Sequence, residues 1–454
     1  MKQPPKNLIY SNRDILRLVV PLIVELALQL VVGLLDSIMV SSVGEAAVSG
    51  VSLVDSVMQL LIYIFAALAA GGAIVAGFIH SDTPSAQFSQ QSAGELMWLN
   101  ALLSIAIMLL MVFSSGWILT HLFGQIEADV AYHARRYLNA VVFSIPAIGI
   151  YEACAAIFRT MNDSKTTMKL SLLMNVINCT GNAILIYGCS MGTQGAAFST
   201  VASRWVAAIL AVKLLLDPHR ELYIEKTLHH KFDWPLTRNI LKMGVPNGIE
   251  NGIFQLGKIM ILGLVTTFGT SAITANAVTQ TLSSLEMIPG SAIQLAMVSV
   301  ISHCVGAEDY EQVRYYNRKL IGFAYIAIAG WAAVLFASLP AILSIYHLSE
   351  ETARLMISLF LCHTVGAIFI WPLAFDLPAS LRASGDVRFT MVISVFSMWV
   401  FRLGGAHLLA NTLKLGVLGI WIAMAFLDWG FRAAVYMMRW HGGRWKAKGI
   451  LVSR

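Results

Sequence analysis

The stretches PLIVELALQLVVGLLD, residues 21–36, and PNGIENGIFQLGK, residues 246–258, are two copies of one pattern. A shift of 225 residues lays Pro21 on Pro246, Glu25 on Glu250 and, beyond them, Gly44 on Gly269 without a gap. At a shift of 223, Arg159, Asp163, Lys165, Thr167 and Met168 meet Arg382, Asp386, Arg388, Thr390 and Met391. A shift of 224 pairs Gly195 with Gly419 and Trp205 with Trp429. Separate stretches at nearly one offset mark a chain built from two related halves.

Both copies lie in apolar runs. The 454 residues are 57% hydrophobic and 12% charged, with a mean hydropathy of +0.71, whereas soluble domains carry about 25% charged residues. This composition implies an all-α polytopic membrane protein, because a helical crossing takes about 20 residues. Six spans are expected in the first half: Leu18 to Val40, Val51 to Phe78, Met97 to Leu119, Leu138 to Phe158, Met168 to Tyr187 and Gly195 to Leu215. Six more follow: Ile240 to Phe268, Ala275 to Cys304, Leu320 to Ile345, Leu355 to Leu381, Thr390 to Leu409 and Leu415 to Met438. The twelve transmembrane helices form two pseudo-symmetric six-helix bundles, 1–216 and 239–454, joined by a polar linker, 217–238. An even number of spans per half gives both repeats the same orientation, as in many alternating-access carriers.

Little chain remains for an enzyme head or a soluble receptor module. The +6 net charge belongs to cytoplasmic loops and not to nucleic-acid binding, since Lys and Arg concentrate on the inner side. With both termini in the cytoplasm, 20 Lys or Arg fall inside and four, Arg135, Arg136, Arg354 and Lys414, outside. The loop HSDTPSAQFSQQSAGE, 80–95, departs from the rule, being inside without a Lys or Arg. No cleavable leader is expected at the N-terminus, and the five scattered cysteines read as small thiols. Ser384-Gly385-Asp386 lacks the glycine pattern and partner acid of an intramembrane aspartyl protease, and His229-His230 lacks metal-ligand spacing.

A charge at mid-bilayer costs at least about 2.5 to 3.5 kcal/mol, so each intramembrane acid is a candidate for function. At 100° per residue Glu25, Gln29 and Asp36 form one stripe on the first helix. Asn175, Asn178 and Asn182 share a face of the fifth, and Thr200 sits about one turn into the sixth. Such oxygens suit a small hard cation, and a protonatable Asp36 among amides suits a proton; helix-to-helix hydrogen bonding is the plainer alternative for the asparagines. The seventh helix carries a broader stripe, Asn247, Glu250, Asn251, Gln255 and Lys258, which faces a water-filled cavity, with Lys258 a counter-ion for Glu250 or a gate on cargo charge. Arg159 to Asp163 and Arg382 to Asp386, at helix ends, read as architectural.

These residues resemble the multidrug and toxic compound extrusion (MATE) family, within the multidrug, oligosaccharide-lipid and polysaccharide exporter superfamily. The likeness runs along nearly the whole chain. It rests on Pro21 and Asp36 followed by SIMVSSVG, on PNGIENGIFQLGK, on ISHCVGAEDYEQVR (301–314) and on LPASLRASGDVRFTM (377–391). It implies a secondary antiporter of the plasma (inner) membrane, not an enzyme, exporting organic, cationic and lipophilic compounds in exchange for H+ or Na+. No cofactor beyond the coupling ion is implied, and the partners are small organic molecules and the bilayer, the chain acting as a monomer. Carried over by position, the ion site is Asp36, Asn178, Asn182 and Thr200, and the remaining stripes line the substrate cavity. Two departures stand out. The family often has an aspartate where this chain has Asn182, and Phe254 and Trp371 stand near the places of carboxylates used by some members. Glu152, Glu286, Asp376 and Asp428 add further acid, and the rival reading, a flippase for a lipid-linked saccharide or precursor, calls for a strongly cationic cavity, whereas the intramembrane charges are mostly acidic, with Arg204, Lys258 and Arg402 opposed to them.

Overall fold

The computed structural model describes residues 8–80, 86–117, 128–224, 232–346, 349–443 and 445–446. These are helical almost throughout, with no strand among the described residues. The protein is an all-α polytopic membrane protein. Eleven segments among the described residues are long and apolar enough to cross a membrane, from Ala46–Val75 to Gly416–His441. Ahead of them runs α1 (Asn12–Ser41), in which Leu18 to Leu35 holds a single charged residue, Glu25.

In the first half α1 is followed by α2 (Glu45–His80), α3 (Ala86–Trp117), α4 (Ala128–Val141), α5 (Ile145–Thr160), α6 (Ser164–Asn182) and α7 (Thr193–Leu215). A tight turn, Val142–Ser144, joins α4 and α5 into one crossing, placed where Pro146 starts a helix without needing an N–H partner. Beyond Asn182, α6 widens into a π-helical turn, Ala183–Gly188.

The second half opens with α8 (Trp234–Thr266), α9 (Thr270–Glu286), α10 (Ile288–Gly306), α11 (Tyr310–Tyr346) and α12 (Glu350–Phe369). It closes with α13 (Leu377–Ala383), α14 (Val387–Ser397), α15 (Gly405–His407), α16 (Gly416–Ile422) and α17 (Trp429–His441), with π-helical turns such as Pro372–Asp376 and Ala423–Asp428 between them. The expected single span from Ala275 to Cys304 is two helices, α9 and α10, meeting at Met287. Pro289 explains the break, because a proline ring excludes the carbonyl four residues back. That carbonyl, of Leu285, instead accepts the Trp331 indole N–H at 2.9 Å.

The chain divides into two compact units, Met1–Val19 with Ile249–Arg454, and Val20–Gly248. Relative to the repeats, α1 up to Val19 thus goes with the C-terminal unit and α8 up to Gly248 with the N-terminal one. Within the Val20–Gly248 unit helices approach closely on glycine: a Cβ on Gly71 would lie 2.4 Å from the backbone nitrogen of Gly244, and one on Gly50 2.7 Å from that of Ala134. Small residues allow such contacts where lipid removes the hydrophobic drive for helix association.

The repeat seen in the sequence returns as matched ion pairs inside each unit. Glu25 lies 3.9 Å from Arg159 and accepts from Thr167 at 2.8 Å; Glu250 lies 3.4 Å from Arg382 and accepts from Ser394 at 2.6 Å. Asp163 binds Arg220 at 3.0 Å and also caps α6 through Thr166, while Asp386 binds Arg439 at 2.6 Å. Burial alone would push the Asp163 carboxyl up, but the hydrogen bonds from Thr166 and Arg220 hold it below the ordinary value.

Candidate ion site of the N-terminal unit

Three asparagines at i, i+3 and i+7 of α6 fall on one helical face. All three are buried: Asn175, Asn178 and Asn182. Asn182 sits where the helix widens, a local geometry common at functional sites. Its amide nitrogen donates to Asp36 Oδ1 at 2.6 Å, and its oxygen accepts from Ser199. Asn178, with its nitrogen turned toward Asp36, donates to both carboxylate oxygens at 2.7 and 3.1 Å and accepts from Thr200 at 3.1 Å. The four expected ion-site residues are therefore brought together.

Three of them, Asp36, Asn182 and Thr200, line a cavity of about 20 Å3, shared with Val40, Val48, Val51, Ser52, Asp55, Tyr137 and Ala196. That is room for one water-sized guest, since a single water takes roughly 10–15 Å3 by this measure. The sequence reading missed Asp55, on α2, and Tyr137, on α4. Tyr137 donates to Asp55 Oδ1 at 3.0 Å. Asp55 is exposed and Asp36 half-buried. An acid four residues into the apolar run that starts at Val51 was the available signal. Arg204 acts electrostatically on both carboxylates and donates to Ser144 at 2.8 Å. Formally, two acids and one arginine leave a single negative charge, which one monovalent cation neutralises.

The substrate-cavity candidates divide between the two units. Glu25 faces Arg159, Gln29 is exposed, and Asn175 is buried with its amide nitrogen unpartnered among the described residues. Asn247, in the Val20–Gly248 unit, donates to the Ala67 carbonyl at 3.3 Å. In the other unit Asn251 and Gln255 are half-buried and Lys258 is exposed. Lys258 makes no ion pair with Glu250: the nearest cations to that acid are Arg382, and Arg432 at 4.0 Å. Instead the Lys258 ammonium lies 5.6 Å from the Phe254 ring centroid. Among the described residues no group of three His, Cys, Asp or Glu could hold a metal ion, and the His229-His230 pair lies outside them.

The family model described as MatE matches residues 21–184 and 246–407, one match per repeat. The chain is similar to the probable multidrug resistance protein NorM of Thermotoga maritima, 24% identical over 99% of this chain and 96% of the relative. It is also similar to the uncharacterized transporter YisQ of Bacillus subtilis, 24% identical over 95% and 94%. A solved multidrug resistance MATE family transporter of the MOP superfamily, in an outward-facing conformation, superposes with a TM-score of 0.88 at 20% identity, covering 96% of each chain. A MOP superfamily transporter from Pyrococcus furiosus, described as having a binding pocket of reverse polarity, gives 0.86 at 20% identity over 96% of each.

Proposed function

The chain belongs to the MatE family, a family of transporters and not enzymes, and from that premise we propose that it exports amphipathic organic compounds, drugs and toxins among them, as a secondary antiporter. The exchange ion is H+ or Na+, taken up at Asp36 and Asp55. The observation that carries this reading is that one small cavity holds two carboxylates, Asn182 and Thr200.

Amide N–H groups of Asn178 and Asn182 saturate the Asp36 oxygens, and such charge-assisted bonds hold a bare carboxylate. A proton or Na+ arriving past Asp55 competes with those donors, so loading breaks the bond between α1 and α6 that Asn182 makes. A helix contact present in one state and absent in the other is how an ion biases two conformations. The coupling energy is then bounded by the difference in ion affinity between the two states. Both termini are assigned to the cytoplasm, on the distribution of Lys and Arg, with 1–216 and 239–454 as the two bundles of an alternating-access cycle. The organic-cation cargo that the resemblance implies would meet acids already paired in this arrangement, since Glu25 and Glu250 each face an arginine.

The test is accumulation of two tracers of opposite charge, rhodamine 6G and estrone 3-sulfate, by proteoliposomes under an imposed pH gradient and then a Na+ gradient. One gradient should drive accumulation of at least one tracer. Accumulation that needs neither gradient, or none under both, refutes the antiporter.

A further inference from the structure

Four cations of the C-terminal unit gather around one aromatic ring and its neighbours. The Arg402 guanidinium carbon lies 5.0 Å from the Phe254 centroid, that of Arg432 5.7 Å and the Lys258 nitrogen 5.6 Å. Arg432 also stacks 4.4 Å from Phe375, and Arg382 meets the same Glu250 oxygen as Arg432. Cation–π contacts of this kind give each charge about 0.5–2 kcal/mol, too little to replace a counter-ion.

The carboxylates do not balance the group. Arg382 and Arg432 share Glu250, at 3.4 and 4.0 Å. Arg402 has Asp428 at 3.7 Å, an acid already accepting from Ser397 at 2.6 Å. Asp376, fully buried near Arg382, forms no ion pair among the described residues and its oxygens accept no hydrogen bond there. Four cations against these three acids leave an excess positive charge, and Lys258 has no ion-pair partner among the described residues. The arginines also keep open donors. Arg402 and Arg432 are 5% and 2% exposed, yet Nε of Arg402 and both Nε and Nη1 of Arg432 meet no acceptor among the described residues. Leaving charged donors unpaired inside a bilayer is expensive, so such groups mark sites.

We propose that this cluster is a binding site for an amphipathic organic anion, its carboxylate, sulfonate or phosphate group taken by Lys258, Arg402 and Arg432 and its apolar body lying on the surrounding rings. Arginine forks match the oxygens of such groups in pairs, and the unpartnered nitrogens are where those oxygens bind. The apolar half has its surface too: Phe254 meets Phe375 edge-on at 6.5 Å, and Phe375 stacks on Trp371 at 5.0 Å. Half-buried Phe254 lies over the arginines while Lys258 is exposed, so the anion meets Lys258 first and the ring turns aside to admit it. Phe254 and Trp371, the positions where the sequence departs from the carboxylates of other family members, are thus lining residues of a site of opposite polarity.

This inference deepens the exporter reading, whose cargo class it supplies, but equilibrium binding tests it without any gradient. Full-length protein purified in dodecyl maltoside is titrated with tritiated estrone 3-sulfate and with its uncharged parent, estrone. Estrone 3-sulfate should bind saturably and at least about 10-fold more tightly than estrone, with affinity falling as NaCl rises. Lys258→Gln, at an exposed position, should fold normally and lose about 10-fold in affinity for the sulfate alone, and Lys258→Arg should restore it. Competition from nanodiscs containing phosphatidylglycerol, set against phosphatidylcholine nanodiscs, separates the sources of the anion. Displacement assigns the site to a lipid headgroup and lack of displacement to a free compound, either of which upholds the anion site. Equal affinity for the two steroids, absence of saturable binding, or a Lys258→Gln protein that binds like the wild type would overturn it.

Discussion

Replacing Asn182 by aspartate puts a carboxylate where an amide nitrogen now sits 2.6 Å from Asp36 Oδ1. The bond lost is a charge-assisted one, contributing about 1.5–3 kcal/mol, and two like charges take its place. At 2.6 Å and an effective dielectric constant of 20, their repulsion is about 6 kcal/mol. The α6 helix cannot retreat cheaply, because Asn182 is also held through Ser199 and Gly181 packs on the same serine. The pair must therefore share a proton or a cation, and the cavity has room for one. Asn182→Asp should make the fold depend on the ion. A ligand at 100 times its Kd stabilises by about 2.7 kcal/mol, which at about 2–4 °C per kcal/mol for a unit of this size is a Tm rise of about 5–10 °C. The assay is thermal unfolding by tryptophan fluorescence in detergent at pH 8, in NaCl against choline chloride of equal ionic strength. The wild type should respond less, since its Asp36 is already satisfied by two amides. An Asn182→Asp protein with the wild-type Tm and no response to Na+ or pH would show that Asp36 and position 182 do not share an ion.

Further consequences concern the repeat and the packing. Glu250→Gln strips Arg382 and Arg432 of their shared carboxylate and should destabilise by about 3–5 kcal/mol, whereas Glu25→Gln should cost less because Arg159 keeps Glu152 at 3.9 Å; equal Tm losses would refute the difference. Gly71→Ala drives a methyl group into the Gly244 backbone and should cost about 1–3 kcal/mol, while Gly330→Ala, with nothing within 4 Å, should leave the Tm unchanged or raise it. The depressed Asp163 carboxyl adds stability that is complete above its unfolded-state pKa, about 3.9, and is lost as pH falls through the lower folded value. Asp163→Asn should accordingly be less stable than the wild type at pH 6 and lose that deficit below about pH 4; a deficit constant across this range would assign Asp163 a role independent of its charge.

What the sequence could show was whatever depends on spacing along one helix or on the offset between halves. Pro21 over Pro246 and Glu25 over Glu250 revealed the repeat, and the α6 asparagines declared their shared face. Partners contributed by other helices carry no such signature. Asp55 looked like a stray acid near the start of an apolar run, and only the fold sets it and Tyr137 beside Asp36. Glu250 and Lys258 share a helical face, yet the acid is satisfied by arginines from later helices, and no periodicity on α8 could announce that. Arg432 stacks on Phe254 and Phe375, contacts between helices that no spacing along one helix announces. The break between α9 and α10 was hidden because Pro289 falls inside an unbroken apolar run, and hydropathy does not register a lost N–H.

Gradient-driven transport by Asp36→Asn protein in proteoliposomes, measured beside gradient-free counterflow of the same tracer, tests the coupling claim most directly. The amide keeps the size of the side chain but removes the charge that receives the ion, so accumulation against a gradient should fall to background while counterflow and tracer binding persist, and Asp55→Asn should weaken accumulation in the same direction. Accumulation by well-folded Asp36→Asn protein at near the wild-type rate would contradict the account and remove the Asp36 cavity from the coupling mechanism.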